Sequence, residues 1–468
     1  MRKLSFGGEV MLQIGQKVEI GITGMAHEGQ GVGRVDGFAV FVEGALNGEK
    51  VLARIEKVSK NYAIARVENI IVPSPERVEP PCPYAEKCGG CSLQHLSYKG
   101  QIEFKTQKVK DNLERIGHIR TTVLETIGMD SPFKYRNKAQ YPVGKKEGRA
   151  VLGFYKKRSH ELVPIRSCLI QHDLSWQVAE LVAEWVKKYQ IPIYDEINHE
   201  GLLRHVVTRV GAKTGEAMLV LVINGRKIPH LKELIGALKT KVQGLKSVYL
   251  NINMKKTNVI MGEENILVYG KPYIIDFIEE IKFTLSPNSF FQVNPVQVEV
   301  LYNKALEYAA LTGEETVIDA YCGIGTITLF LARKAKRVYG IELVPDAVKD
   351  ARKNARLNGI ENVEFIEGAA EEIMPRLLKQ GVRADVIVVD PPRRGCEEGL
   401  LEAAVKMNPS RMVYVSCNPA TLARDLRFLE DRDYETELVQ PVDMFPFTHH
   451  VECVALIRKK QVSRSIKS

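Results

Sequence analysis

The chain has 468 residues, of which 45% are apolar and 26% are charged. This composition is typical of globular proteins and excludes a disordered or collagen-like chain, and the length predicts about three domains. No apolar run reaches the ~18 residues that a membrane span requires. Arg2 and Lys3 are not followed by the apolar stretch of a secretory signal, so we expect a cytoplasmic protein without a membrane partner.

Positive charge is concentrated in the middle of the chain. Residues 131–240 carry 19 Lys and Arg against 10 Asp and Glu, whereas residues 1–130 (17 against 16) and 241–468 (30 against 31) are nearly neutral. Neutralisation of phosphates by basic side chains dominates affinity for nucleic acids. A surface for a polyanion and an ordinary solvated basic face both agree with this excess.

Residues 12–70 predict a small β-barrel. Polar and apolar residues alternate at 18–22, and further strand patterns follow at 38–42 and 51–55. A glycine-rich turn at 29–33 separates the first two strands. Short strands with glycine turns are typical of small barrels. Such barrels often bind RNA, but the pattern alone fits any small barrel.

Residues 71–290 begin with a proline-rich linker that leads into a cysteine cluster. Cys82, Cys88 and Cys91 have the spacing C-x5-C-x2-C, and Cys168 follows alone. In a cytosolic protein such a cluster indicates a metal site rather than disulfides. Four thiolates suit either zinc or an iron–sulfur cluster, and the spacing does not decide between them.

The rest of this second segment mixes helices and strands, as in an α+β domain. Its predicted helices lie at 97–117, 174–189 and 229–241, and its predicted strands lie at 204–210, 217–223 and 247–252.

Residues 291–468 alternate strands with helices, which predicts a parallel, doubly wound sheet. The predicted strands lie at 316–319, 337–341, 363–366, 384–389, 411–415 and 452–458, and helices are predicted at 326–335 and 345–357.

A cofactor half-site is predicted where the first of these strands turns into its helix. Gly323 and Gly325 allow a ligand to approach the backbone, and Glu342 ends the next strand, where an acid holds the ribose hydroxyls of an adenosine ligand. Asp319 is poorly suited to a diphosphate but suits a cationic amino-acid tail. This favours S-adenosylmethionine over NAD, although an ordinary strand–turn–helix connection also contains glycines.

Three further residues are predicted at the carboxyl edge of the same sheet, where open α/β sheets place their sites. Asp390 opens an Asp-Pro-Pro loop, Cys417 lies in a Ser-Cys-Asn-Pro turn, and Glu452 precedes the last apolar strand. An exposed thiolate is a strong nucleophile and a carboxylate can act as a base. The alternatives are a structural loop, a buried core cysteine and a capping acid. His449 and His450 have no partner ligands at suitable spacing and are interpreted as structural.

Five motifs together resemble the RNA uracil-C5 methyltransferases that make 5-methyluridine. They lie at 290–294 (Phe-Phe-Gln-Val-Asn), 319–325, 390–395, 416–425 and 449–452. The resemblance covers nearly the whole chain and is strongest to the bacterial 23S ribosomal RNA branch. That branch carries an N-terminal TRAM barrel, a central α+β domain, an iron–sulfur cluster and a C-terminal Rossmann-like S-adenosylmethionine methyltransferase domain.

The resemblance also implies roles for residues. Cys417 would be the nucleophile and Glu452 the base, while Cys82, Cys88, Cys91 and Cys168 would bind a [4Fe–4S] cluster. The implied cofactor-binding residues are Gln292, Tyr321, Gly323, Gly325, Thr326, Glu342 and Asp390. Thr326 departs from the Asn of some relatives. The implied substrate is a uridine of 23S ribosomal RNA, with the same chemistry on transfer RNA as the alternative and no obligate protein partner.

Two other classes of protein remain as alternatives. A cytosine-C5 methyltransferase shares the cysteine addition, but the DNA enzymes usually place a proline before the nucleophile, where this chain has Ser416. A non-catalytic RNA-binding protein with a zinc module would have no need of intact Glu342, Asp390, Cys417 and Glu452.

Overall fold

The computed structural model describes residues 12–460. Arg2, Lys3 and the end of the predicted domain 291–468 lie outside this range. Within it, no helix has both the length and the apolar character needed to cross a membrane.

Five strands form the predicted N-terminal barrel. They are β1 (Lys17–Met25), β2 (Gly31–Val35), β3 (Phe38–Glu43), β4 (Lys50–Val58) and β5 (Tyr62–Val72). The barrel closes in the order β1-β2-β3-β5-β4 around alternate apolar side chains such as Ile20, Val40 and Ala53. At Gly33 a Cβ would lie 2.5 Å from the carbonyl oxygen of Gly21, so only glycine allows this approach of β1 and β2.

A polar helix, α1 (Tyr98–Asn112), follows the cysteine cluster. The Ser97 hydroxyl caps it by accepting a hydrogen bond from the Gly100 amide at 3.0 Å. The helix predicted at 97–117 is α-helical only as far as Asn112. Its last residues, Leu113–Gly117, form a π-helical turn. A short strand, β6 (Thr122–Val123), comes next.

The central unit is a seven-stranded sheet covered by two helices. Its elements are β7 (Lys138–Lys146), β8 (Arg149–Tyr155), β9 (Leu162–Pro164), α2 (Asp173–Tyr189), β10 (Leu203–Val210), β11 (Ala217–Ile223), α3 (Leu231–Lys241), β12 (Leu245–Ile252) and β13 (Glu264–Gly270). The strand order is β13-β12-β11-β10-β7-β8-β9, and β11 and β12 are parallel. Every residue of β10 and β11 is buried, because one face packs on α2 and α3 and the other on the C-terminal unit.

A hairpin, β14 (Ile274–Ile278) and β15 (Ile281–Leu285), and the helix α4 (Pro295–Ala309) lead into the C-terminal unit. The Asn294 side chain caps α4 by accepting hydrogen bonds from the Val296 and Gln297 amides at 3.2 and 3.1 Å.

The C-terminal unit is an α/β sheet that confirms the predicted Rossmann-like architecture. Its elements are β16 (Thr316–Ala320), α5 (Thr326–Ala332), β17 (Arg337–Glu342), α6 (Pro345–Leu357), β18 (Val363–Glu367), α7 (Ala370–Lys379), β19 (Val386–Val389), α8 (Glu398–Met407), β20 (Arg411–Ser416), α9 (Pro419–Glu430), β21 (Tyr434–Val442) and β22 (Glu452–Lys459). The strand order is β18-β17-β16-β19-β20-β22-β21-β6.

The sheet is parallel from β18 to β20, as predicted, but the prediction was wrong for its other end. β22, predicted at 452–458, runs antiparallel to β20. β21, which was not predicted, lies between β22 and β6. Alternation of apolar residues identifies a strand but carries no information about its direction in the sheet. The antiparallel β22 begins at the edge where the parallel strands end, which places Glu452 there.

Candidate active site

Glu342 ends β17 with both carboxylate oxygens engaged by backbone amides. One oxygen accepts a hydrogen bond from Gly323 at 3.0 Å and the other accepts one from Val344 at 2.8 Å. Each oxygen keeps a second lone pair for a ligand hydroxyl. The carboxylate is therefore fixed against the glycine turn in the position expected of a ribose-binding acid.

The turn itself requires unusual backbone conformations. Tyr321, Gly323 and Gly325 all have positive φ angles, of 74°, 55° and 85°. A Cβ on Gly325 would lie 3.0 Å from the ring of Phe365, so the turn packs too tightly there for a side chain. Thr326, the first residue of α5, accepts a hydrogen bond from the Tyr302 hydroxyl at 3.0 Å.

Asp319 lies buried at the end of β16 with one oxygen unpartnered. Its Oδ2 accepts a hydrogen bond from the Thr328 hydroxyl at 2.6 Å, whereas Oδ1 has no partner among the described residues. Burial raises the pKa of Asp319 to about 7. Buried polar atoms normally have partners, so Oδ1 fits the ammonium group of the methionine part of S-adenosylmethionine.

Cys417 and Glu452 come together where β20 ends and β22 begins. Ser416 of β20 pairs with Cys453 of β22, so the antiparallel register sets Cys417 opposite Glu452. Glu452 is 4% exposed, and burial, followed by the negative charge of Asp390, raises its pKa to about 8. Burial also raises the pKa of Asp390 to about 7.

Cys417 is half-buried in the turn that leads into α9. Burial, followed by the charges of Glu452 and Asp390, raises the pKa of its thiol to about 12, while Arg393 acts in the opposite direction. The Asn418 side chain fixes the turn, since it accepts from the Ala420 amide at 3.1 Å and donates to the Arg393 carbonyl at 3.0 Å.

Two residues to which the sequence analysis gave no role, Tyr302 and Asp425, form hydrogen bonds near this site. Tyr302 of α4 donates to Thr326, and the charges of Asp390, Asp319 and Glu452 add to burial in raising its pKa. It therefore lies between the glycine turn and Glu452. Asp425 accepts hydrogen bonds from the Cys396 amide at 2.8 Å and the Tyr414 hydroxyl at 2.6 Å. Its position inside the motif 416–425 was the available signal.

Gln292 lies in the segment between β15 and α4. Side chains near and within the central unit bind this segment through hydrogen bonds. The Asn137 side chain donates to the Gln292 carbonyl at 3.2 Å, and Arg209 donates to the Ser286 carbonyl at 2.6 Å. Gln292 itself is buried, and Phe290, two residues earlier, is 71% exposed.

The three clustered cysteines and the remote Cys168 lie together at a second site. Cys82, Cys88, Cys91 and Cys168 line one cavity of about 360 Å³. Among residues 12–460, no three His, Cys, Asp or Glu side chains form a group that could hold a metal ion. Cys322, Cys396 and Cys453 are buried elsewhere.

The sheet order, the glycine turn after β16 and the acid ending β17 define the C-terminal unit as an S-adenosylmethionine-dependent methyltransferase domain. Residues 12–67 match the TRAM domain, and residues 97–460 match the tRNA (Uracil-5-)-methyltransferase family. The chain belongs to this family and is an S-adenosylmethionine-dependent RNA uracil-C5 methyltransferase.

Whole-chain relatives agree with this assignment. An uncharacterized RNA methyltransferase of Caldanaerobacter subterraneus subsp. tengcongensis is 58% identical over 96% of this chain and 99% of its own. One from Halalkalibacterium halodurans is 55% identical over 95% and 97%. The crystal structure of Pyrococcus abyssi tRNA (uracil-54, C5)-methyltransferase with S-adenosyl-L-homocysteine matches 94% of this chain and 99% of its own, with a TM-score of 0.75 and 28% identity.

Proposed function

We propose that the protein methylates carbon 5 of a uridine in 23S ribosomal RNA, with Cys417 as covalent nucleophile and Glu452 as base. The observation that carries this proposal is the pairing of Ser416 with Cys453, which sets a thiol opposite a buried carboxyl beside the cofactor turn. A thiol and a carboxyl at one point supply the two groups that substitution at this carbon needs.

The chemistry explains why both groups are needed. Carbon 5 of uracil is too weakly nucleophilic to accept a methyl group unaided. Addition of the Cys417 thiolate to carbon 6 forms an enolate and makes carbon 5 nucleophilic. After methylation, Glu452 removes the proton from carbon 5, the carbon 5–carbon 6 double bond forms again, and Cys417 leaves as the thiolate. The target base must leave any stack to reach the pair.

The residues of the cofactor turn fit S-adenosylmethionine, which supplies an electrophilic methyl group. Glu342 would accept hydrogen bonds from the ribose hydroxyls, since two amides already orient it. Asp319 would accept one from the ammonium group at its unpartnered Oδ1. Gly323, Gly325 and Tyr321 would border the ligand, as would Gln292 and Thr326.

Asp390 is suited to reading the uracil edge. With a pKa of about 7 it carries a proton in a large fraction of molecules near neutral pH, and a protonated carboxyl both donates and accepts a hydrogen bond. A donor facing the O4 oxygen of uracil would favour uracil over cytosine, whose amino group at that position cannot accept.

The four cysteines would hold a [4Fe–4S] cluster. They line one cavity of about 360 Å³, and four thiolates are the usual ligands of such a cluster. Arg136 and Lys138 also line the cavity, and their charges would offset the negative charge of a thiolate-bound cluster. Such a cluster would tie residues 82–91 to Cys168 of the central unit.

A second candidate substrate is transfer RNA. It is favoured by the similarity to the Pyrococcus abyssi enzyme, which extends over 99% of that chain. The ribosomal substrate is favoured by the resemblance of the five sequence motifs and the four cysteines to the bacterial 23S ribosomal RNA branch.

Methylation of separate RNAs tests the proposal. Purified protein and methyl-tritiated cofactor are incubated with 23S ribosomal RNA transcripts or with transfer RNA transcripts, and tritium release from uracil labelled at carbon 5 is followed in parallel. We expect label in the ribosomal transcripts together with tritium release. Label only in transfer RNA supports the second candidate, and methylation without tritium release from uracil rejects the carbon 5 assignment.

A further inference from the structure

Phe447 lies in the loop 443–451 with a backbone conformation that a bulky residue rarely adopts. Its φ angle is 66°, in the left-handed region where a large side chain is strained. Strain of this kind persists only when the surroundings enforce it. The loop joins β21 to β22 and ends immediately before Glu452.

The backbone of Phe447 is held by the segment that follows the cysteine cluster and by α1. Its carbonyl oxygen accepts hydrogen bonds from the Ser92 and Leu93 amides, both at 2.9 Å. Its own amide donates to the Gln101 side chain at 2.8 Å. Three hydrogen bonds from outside the loop therefore enforce the strained conformation.

Two more hydrogen bonds bind the loop at His449, closer to Glu452. The Ser92 hydroxyl accepts a hydrogen bond from the His449 amide at 3.0 Å. On the other side of the loop, Lys108 of α1 donates to the His449 carbonyl at 2.8 Å. The loop is thus fixed up to three residues before Glu452.

The side chain of Phe447 belongs to an apolar cluster beside the cysteine site. It is 5% exposed and clusters with Tyr135 and Ile170, and Cys91 and Cys168 pack against this cluster. Phe447 is thus linked to two of the four cysteines through this cluster, and its backbone is bound by the two residues after Cys91.

We propose that Phe447 couples the cysteine site to Glu452, so that occupation of the cysteine site keeps the carboxyl of Glu452 in place for removal of the carbon 5 proton. Phe447, Gln101 and Ser92 are positioning residues in this scheme, and Glu452 is the group that reacts. The inference rests on the proposed function.

Gln101→Leu tests the coupling without altering a cysteine. It removes the acceptor of the Phe447 amide together with the donor to the Leu96 carbonyl. Gln107→Leu, which changes an exposed glutamine of the same helix, is the control. We expect Gln101→Leu to lower kcat about tenfold or more, because small misplacements of a reacting group are costly. Methylated covalent adduct should accumulate, while the Kd for S-adenosylmethionine and the iron content stay unchanged.

Gln107→Leu should resemble the unaltered protein. If Gln101→Leu turns over normally, or loses activity without adduct, the strands alone position Glu452 and the coupling is wrong. Ser92→Ala, which removes only the hydroxyl contact to His449, serves the same purpose if Gln101→Leu does not fold.

Hydrogen exchange tests the coupling independently of activity. We expect amides of residues 443–451 to exchange faster once a chelator has removed the iron, while amides of the barrel strand β3 stay unchanged. Equal exchange in the loop before and after iron removal contradicts the coupling. If the unaltered protein does not make 5-methyluridine, the proposed function is rejected. The hydrogen-exchange measurement does not depend on that activity and still tests the link between the cysteine site and the loop.

Discussion

Cys417 and Glu452 lie one position beyond Ser416 and Cys453, the last pair of the antiparallel ladder between β20 and β22. The negative charge of Glu452 is the second largest cause, after burial, of the raised pKa of the Cys417 thiol. The Cys417 thiolate is therefore favoured while Glu452 is protonated, whereas removal of a proton requires the Glu452 carboxylate. In the proposed reaction these two events belong to different steps.

The first prediction separates these steps. Cys417→Ala should abolish methyl transfer, because carbon 5 is never activated. Glu452→Gln should still permit addition and methylation, and then stall as a covalent protein–RNA adduct. The adduct should survive denaturing electrophoresis and carry tritium from methyl-labelled cofactor.

The double variant with Cys417→Ala and Glu452→Gln is the control and should form no adduct. Normal turnover by Glu452→Gln, or an adduct formed without Cys417, would show that these roles are wrongly assigned.

The second prediction concerns cofactor binding. Glu342→Ala removes a charged acceptor of ribose hydroxyls and also leaves the Gly323 and Val344 amides without their partner. At about 1.5–3 kcal/mol for a hydrogen bond to a charged group, affinity for S-adenosylmethionine should fall at least tenfold. Calorimetry measures the Kd. Glu361→Ala, at an exposed position of the same unit, should bind normally, and equal affinities in the two variants would remove Glu342 from the site.

The third prediction concerns pH and stability. The pKa of Glu452 is raised to about 8 in the folded protein, above the ordinary glutamate value of about 4.3. The unfolded state therefore releases its proton first, and the stabilisation that the protonated carboxyl provides is lost as pH rises from about 5 to about 8. Glu452→Gln cannot ionise.

Urea unfolding of both proteins at several pH values measures this effect. The free energy of unfolding of Glu452→Gln, relative to the unaltered protein, should increase by up to about 1.4 kcal/mol per pH unit between pH 5 and 8 and then level off. A constant difference across this range would mean that Glu452 ionises normally in the folded protein.

The fourth prediction concerns the cysteine site. Protein purified without oxygen should be brown and contain about four irons per chain, as one cubane cluster requires. Cys168→Ser should lower the iron content, whereas Cys396→Ala, which is buried outside the cavity, should not. Colourless protein that contains zinc would reject the iron–sulfur assignment and leave the metal site in place.

The sequence alone was enough to predict the local parts of this protein. The turn from Asp319 to Thr326 is encoded within a few residues, because a strand, two glycines and a helix follow one another and the acid that completes the half-site ends the next strand. The barrel, the cysteine spacing and the order of α/β elements are local patterns of the same kind. The motifs also identified the family, since residue types needed for one chemistry recur at the same places.

Only the tertiary structure decided how distant residues meet. The direction of β22 depends on pairing with β20, and this pairing sets Glu452 opposite Cys417. The hydrogen bonds of Ser92, Leu93 and Gln101 to Phe447 likewise join segments far apart in the chain. The physical reason is that hydropathy and turn patterns report on neighbours within a few residues, whereas strand direction, burial and side-chain hydrogen bonds are settled when whole elements pack together.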